Sequence, residues 1–344
     1  MSVSATSSNT RNYGIRPAGF SDGPFPKWGD IMTAILFNTL NAVLPIFLLM
    51  VCGYLTRAAG ILKREDVNKI NKLNFNVFIP ILVAYNIHNS NIGTAFHPAF
   101  IAYAVCGLAA EAGLAWVFTR FFVPDRLQKG VVIQGLFRTN VTLVGVQLLA
   151  NLIPGADLGP ISILSAFTTI TINTLSVIAL ETYSKGRTGG KHLLISILKN
   201  PLIIGSLTGV ALLLSGVKLP VFVETTARDL ARIASPLALF LLGAFFRFED
   251  LKRDLKLLSA VTVLRLLVFP GIFLPLAVVL GFRGIYFATL IPVFATPNAA
   301  PSFAMVQRMG GDAELAGNIV VMTSLFCTPT IFLWCYLFQV LGIF

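Results

Sequence analysis

Between Gly284 and Gln307 the chain carries no charged residue, and nine other stretches are nearly as apolar. A run of that length crosses a hydrocarbon layer of about 30 Å as a helix. Ten such runs leave few options, because inside a bilayer every backbone N–H and C=O must find its partner within the protein. The expected fold is an all-α polytopic membrane protein of ten transmembrane helices. Composition agrees: 56% of residues are hydrophobic and 12% charged, where a soluble domain carries about 25% charged.

The runs fall at about 31–55, 73–87, 99–122, 131–153, 161–180, 193–214, 221–246, 257–280, 285–306 and 316–343. Residues 1–30 are polar and rich in Ser, Gly and Pro, without the apolar stretch of a signal peptide, and read as a disordered extension. The net charge of +11 does not imply nucleic acid, because the Lys and Arg residues cluster between the apolar runs. Arg57, Lys63, Arg64, Lys69 and Lys72 follow the first run, and Arg247, Lys252, Arg253 and Lys256 follow the seventh. Even-to-odd loops are nearly bare of positive charge, so the odd-to-even loops are expected in the cytoplasm and both termini outside. This describes a multi-pass protein of the plasma (inner) membrane.

The chain also repeats itself. Pro45, Gly53, Gly60 and Pro80 recur as Pro201, Gly209, Gly216 and Pro236, each 156 residues later. The halves are then 31–182, with runs one to five, and 193–344, with runs six to ten. Five is odd, so the second half enters from the opposite face. Inverted repeats of this kind are typical of secondary transporters.

The uncharged run that opens this section holds the residues a helix tolerates least. In FATPNAAPSFA, from Phe294 to Ala304, Pro297, Asn298 and Pro301 fall together, with Pro292 just before. Proline removes a helix hydrogen bond, and asparagine brings an amide that hydrocarbon cannot satisfy. Asn140, in GLFRTNVTLVGVQLL, lies 158 residues earlier, at the centre of the fourth run. Interrupted spans at matching positions of two halves mark a transporter's binding site, where half-helix N-termini attract an anionic group. Asn140 and Asn298 are the candidate substrate contacts.

VLPIFLLMVCGYLTRAAGIL, FIPILVAYNI, RTNVTLVGVQLL and ATPNAAPSFAMVQRMGGDAELAGNIVVMTS resemble the auxin efflux carrier family of permeases. That family includes plant PIN-type auxin exporters and bacterial carriers annotated for malonate or malate. The resemblance runs from about Ile35 to the C-terminus. It implies two inverted five-helix repeats with crossed broken helices at spans four and nine. It also implies that Asn140 and Asn298 contact the substrate carboxylate. Family members commonly place proline beside or soon after the first asparagine, whereas this chain has Thr139 and Gln147. The first break must then rest on Thr139, Asn140 and Gly145, and the second on Pro297 and Pro301.

Two charges sit inside spans. Glu111 lies near the middle of the third, where a charge costs around 2.5–3.5 kcal/mol on insertion scales. It reads either as a proton-sensitive support residue that couples access to pH, or as a carboxylate paired with a neighbouring helix. Arg138 precedes Asn140 by two residues and reads as snorkelling to the cytoplasmic face rather than serving the site. Arg232 and Arg265 receive no role.

The expected function is secondary transport, by efflux, of small organic anions such as auxin-like or dicarboxylic acids. The alternative is a proton- or sodium-coupled symporter or antiporter with another cargo. It would want paired aspartates or cation-binding oxygens at the breaks, where Asn298 has only Thr296 and Ser302 nearby. No HExxH, Ser/His or paired-Asp constellation points to an enzyme, and the four cysteines lie in apolar runs without metal-ligand spacing. No cofactor or metal is expected. The partners are the substrate anion and the bilayer, and a homo-oligomer is feasible.

Overall fold

The computed structural model describes residues 44–90, 97–153, 157–183 and 190–344. The expected N-terminal extension and the first part of the first span lie outside the described residues. Those described are helical, without a strand among them.

Helix α1 is Leu44–Ala58. Arg64–Leu73 (α2) continues through a π-helical turn, Asn74–Phe78, into Ile79–His88 (α3). Next come α4, Pro98–Phe122, and α5, Arg126–Phe137. A second π-turn, Val141–Gly145, leads into α6, Val146–Leu152. Gly159–Tyr183 forms α7, Gly190–Leu198 α8, Pro201–Ser215 α9 and Val221–Phe245 α10. A short α11, Phe248–Arg253, precedes α12, Leu255–Val263, which runs through the π-turn Leu264–Val268 into α13, Phe269–Val279. The chain ends with α14, Gly284–Ala295, α15, Pro301–Met309, and α16, Ala313–Val340.

Among the described residues, four helical segments are long and apolar enough to cross a membrane: Pro98–Phe122, Gly159–Tyr183, Leu255–Val279 and Ala313–Val340. At 1.5 Å per residue, a 25-residue helix reaches about 37 Å, which exceeds the hydrocarbon thickness. Their outer faces expose large apolar side chains such as Leu114, Val117, Phe121, Val279 and Leu333, as lipid contact requires. By contrast, α5 is buried continuously from Gly130 to Phe137 and α14 from Phe287 to Ala295. A helix apolar on every side belongs in the centre of a bundle.

Two expected spans differ. The second was expected over 73–87, but the helix begins at Arg64, because Glu65 and Asp66 suit a helix N-terminus and the Asp66 carboxylate accepts from the Lys63 N–H at 3.0 Å. The sixth was expected as one run, 193–214, but divides at Asn200. There Pro201 cannot continue a hydrogen-bonded helix, and Asn200 Oδ1 instead caps α9 by accepting from the Leu202 N–H at 2.9 Å.

Small residues set the closest helix approaches. A Cβ at Gly53 of α1 would fall on the Phe240 carbonyl of α10, and one at Gly243 of α10 on the Met50 carbonyl of α1. Gly205 of α9 meets Pro80 of α3 in the same way, at 2.6 Å from its carbonyl oxygen. Helices α1, α3, α9 and α10 thus form one tightly packed group, with α4, α5, α7 and α12 to α16 beside it.

Candidate functional site

Both interrupted spans break in the middle of the protein, and the breaks touch. Residues 138–140 and 296–299 interrupt the helices. Arg138 (φ −71, ψ 121) and Thr296 (φ −79, ψ 156) are extended. The first break has no proline, and hydroxyls hold it open. The Thr139 and Thr296 hydroxyls lie 2.6 Å apart, and both reach the Pro292 carbonyl, at 3.0 and 2.7 Å. Thr296 Oγ1 also accepts from the backbone N–H of Asn140 at 3.2 Å. Each break therefore supplies partners that the other would lack in hydrocarbon.

A cavity of about 370 Å³ opens beside this crossing. Arg138, Thr139, Asn140 and Pro301 line it from the broken spans, and Asn173 lines it from α7. Asn298 does not. Its amide nitrogen donates to the Gly135 carbonyl at 3.4 Å, its oxygen accepts from the Ser302 hydroxyl, and its backbone N–H donates to Thr323 Oγ1 at 3.2 Å. The structure thus brings Asn140 to the cavity wall and uses the Asn298 side chain to fasten the second break to α5. Pro301 opens α15, where its missing N–H leaves nothing unsatisfied. Gly145 corrects the sequence reading. It lies outside the break, in helical conformation (φ −69, ψ −44), where a Cβ would come within 2.7 Å of Pro292 Cβ. Glycine is needed there for close approach, and the break rests on Thr139 and Asn140.

Arg138 is the larger correction. It does not snorkel: the residue is only 4% exposed. Its guanidinium donates to Ser176 Oγ at 3.1 Å and Asn173 Oδ1 at 3.2 Å, both on α7. Its Nε and the Asn173 Nδ2 are buried donors without an acceptor. No carboxylate lies within salt-bridge distance of Arg138 among the described residues. A buried charge is ordinarily paired, and here the guanidinium and two free N–H donors give the cavity an electropositive, donor-rich wall. The sequence carried a signal for the α7 wall: Thr169, Asn173 and Ser176 follow at helical spacing, and Asn173 is the one amide in a span whose other polar residues are mostly Ser and Thr.

Glu111 pairs with Arg265, which sequence reading left without a role. The two meet at 3.1 Å with both side chains at 0% exposure. The Arg265 guanidinium further donates to the carbonyls of Thr296, at 3.2 and 3.1 Å, and Leu136, at 3.3 Å. Leu136 closes α5 and Thr296 follows α14, so one cation serves the C-terminal ends of both half-helices, where unpaired carbonyls concentrate negative charge.

Polar contacts also join α2 to the α15–α16 corner: Arg64 meets Glu314 at 2.8 Å, and Gln307 donates to Asn68 Oδ1 at 2.9 Å and accepts from Asn71. Among the described residues no group of His, Cys, Asp and Glu is arranged to hold a metal ion.

The family described as membrane transport protein matches residues 39–335, which include both breaks. Among curated relatives, an uncharacterised transporter of Methanothermobacter thermautotrophicus is 22% identical over 303 residues, covering 87% of this chain and 98% of its own length. An uncharacterised transporter of Methanocaldococcus jannaschii is 22% identical over 312 residues, covering 86% of this chain and 97% of its own. The family is one of transporters rather than enzymes, and its setting is a lipid bilayer. The broken, crossing helices and the family match lead to one conclusion: the chain belongs to the auxin efflux carrier family and is an integral membrane transporter of a small molecule.

Proposed function

We propose that the protein is a secondary active carrier of small organic anions, with the substrate held in the cavity beside the crossed half-helices. The observation that carries this reading is Arg138, a buried guanidinium without a carboxylate partner among the described residues, facing that cavity. Asn140 and Asn173 supply amides on the same wall, and neighbouring half-helix N-termini add positive potential. Thr139, Pro297, Pro301 and Asn298 shape the crossing, and the Glu111–Arg265 pair supports it. Among the described residues no acidic side chain lines the cavity, which favours this over a cation-coupled carrier of another cargo.

The architecture proposed is two inverted repeats, 31–182 and 193–344, of five spans each. Recurring element order speaks for it: a continuous helix, then a broken one, then a long one closes each half (α4, α5–α6, α7 and α12–α13, α14–α15, α16). Loop charges favour a plasma (inner) membrane protein with both termini outside, and resemblance to exporters favours efflux.

Charge movement in reconstituted liposomes tests the reading. Rapid addition of a transported carboxylate to native protein gives a saturable current, and Arg138→Gln raises the half-saturating concentration about tenfold or more, the loss of a charge-assisted contact. Equal currents from native and variant protein place the anion elsewhere.

A further inference from the structure

The cavity has a second cation that the site as described does not use. Helix α10 carries Glu224, Arg228, Asp229 and Arg232 in its first half, a load that a lipid-facing helix does not bear. Glu224, Arg228 and Arg232 follow at intervals of four and so share one face. Arg228 has Asp229 at 3.6 Å. Arg232, one turn deeper, has no acidic group within salt-bridge distance among the described residues, is exposed, and lines the cavity with Ser235 and Pro236. A guanidinium near the middle of a 25-residue helix is stable only where water reaches it, so the cavity is wet on that wall.

Arg138 and Arg232 therefore face one space from two different groups of helices. Arg138 belongs to the broken fourth span, and Arg232 to the group α1, α3, α9 and α10. Among the described residues no Asp or Glu lines the cavity to offset either. A ligand with one negative group neutralises one guanidinium and leaves the other facing it unpaired. A ligand with two, spaced to cross a volume of about 370 Å³, neutralises both.

We propose that Arg232 is the residue that sets the charge of the cargo, making the carrier prefer organic anions with two negative groups over those with one. This rests on the anion reading above and adds the role of α10, which neither the breaks nor the family match assigns.

Calorimetric titration of the detergent-solubilised full chain tests it, with straight-chain diacids of four to six carbons, each against the monoacid of equal length. Native protein is expected to bind its best diacid about tenfold or more tightly than the matching monoacid, one full charge pairing in a wet site. Arg232→Gln should remove that preference by weakening the diacid alone, leaving the monoacid within about twofold. Arg232→Lys should keep it, because the charge persists. Equal affinities in native protein, or a glutamine variant that weakens both acids alike, overturn the role of Arg232 and leave the anion reading standing. Failure of native protein to bind any acid of either kind removes the anion reading itself, and this inference with it.

Discussion

Replacing Arg265 with leucine should damage the protein more than replacing both Arg265 and Glu111. The pair is fully buried at 3.1 Å. Removing one member of a buried pair costs about 3–5 kcal/mol, chiefly because the other charge is left alone in a medium that solvates it poorly. Arg265→Leu also strips the Thr296 and Leu136 carbonyls of their donor, adding about 1–3 kcal/mol for each group left unsatisfied. The expected loss is then roughly 5–11 kcal/mol, comparable with the whole stability of many domains. Glu111→Leu keeps those carbonyl bonds and should cost about 3–5 kcal/mol. In Glu111→Leu/Arg265→Leu no charge is stranded, so only the carbonyl loss of about 2–6 kcal/mol remains. The double variant is thus about 3–5 kcal/mol more stable than Arg265→Leu alone, a strongly non-additive pair. Denaturant unfolding in detergent, followed by the fluorescence of the three tryptophans, measures it, and the yield of monodisperse protein gives the same ranking. Additive losses within about 0.5 kcal/mol would show that the two charges do not act as a pair.

Two further outcomes follow from packing and from the crossing. Gly53→Ala and Gly243→Ala each place a methyl group on a carbonyl of the facing helix, so each should lose about 1–3 kcal/mol and much of its folded yield in fluorescence-detected gel filtration. Gly113→Ala, with nothing within 4 Å of the added carbon, should instead gain up to about 1 kcal/mol from helix propensity. Thr296→Val removes the acceptor of the Asn140 N–H and a partner of the Thr139 hydroxyl. It should cost about 1–3 kcal/mol and lower transport rate in liposomes, whereas Thr296→Ser should retain both.

The helical, membrane-embedded character was legible in the sequence because it depends on runs of residue type, which a bilayer reads as plainly as a helix does. The breaks were legible too, since Pro297, Pro301 and Asn298 have few other places to be. What escaped was pairing across the chain. Glu111 announced an unmet need for a partner, but Arg265 stands 154 residues away, and local spacing cannot connect them. Arg138 misled for a different reason. Its distance from the start of the span suggested a side chain long enough to reach the interface, and only the tertiary packing of α7 shows Ser176 and Asn173 holding it inward. Gly145 reads in the sequence as part of the first break, whereas its absent side chain is a matter of room against Pro292. Composition gives the need for small size and the need for a turn the same letter.

The shared guanidinium and the threonine hydroxyls between the two breaks carry a mechanical implication. Neither broken span can straighten, slide or re-form its missing turn without stripping hydrogen bonds from the other, and each such bond is costly to leave open away from water. The crossing therefore behaves as one welded joint. Any rearrangement around the cavity has to carry this joint whole, because packed, hydrogen-bonded bodies move as units rather than bend.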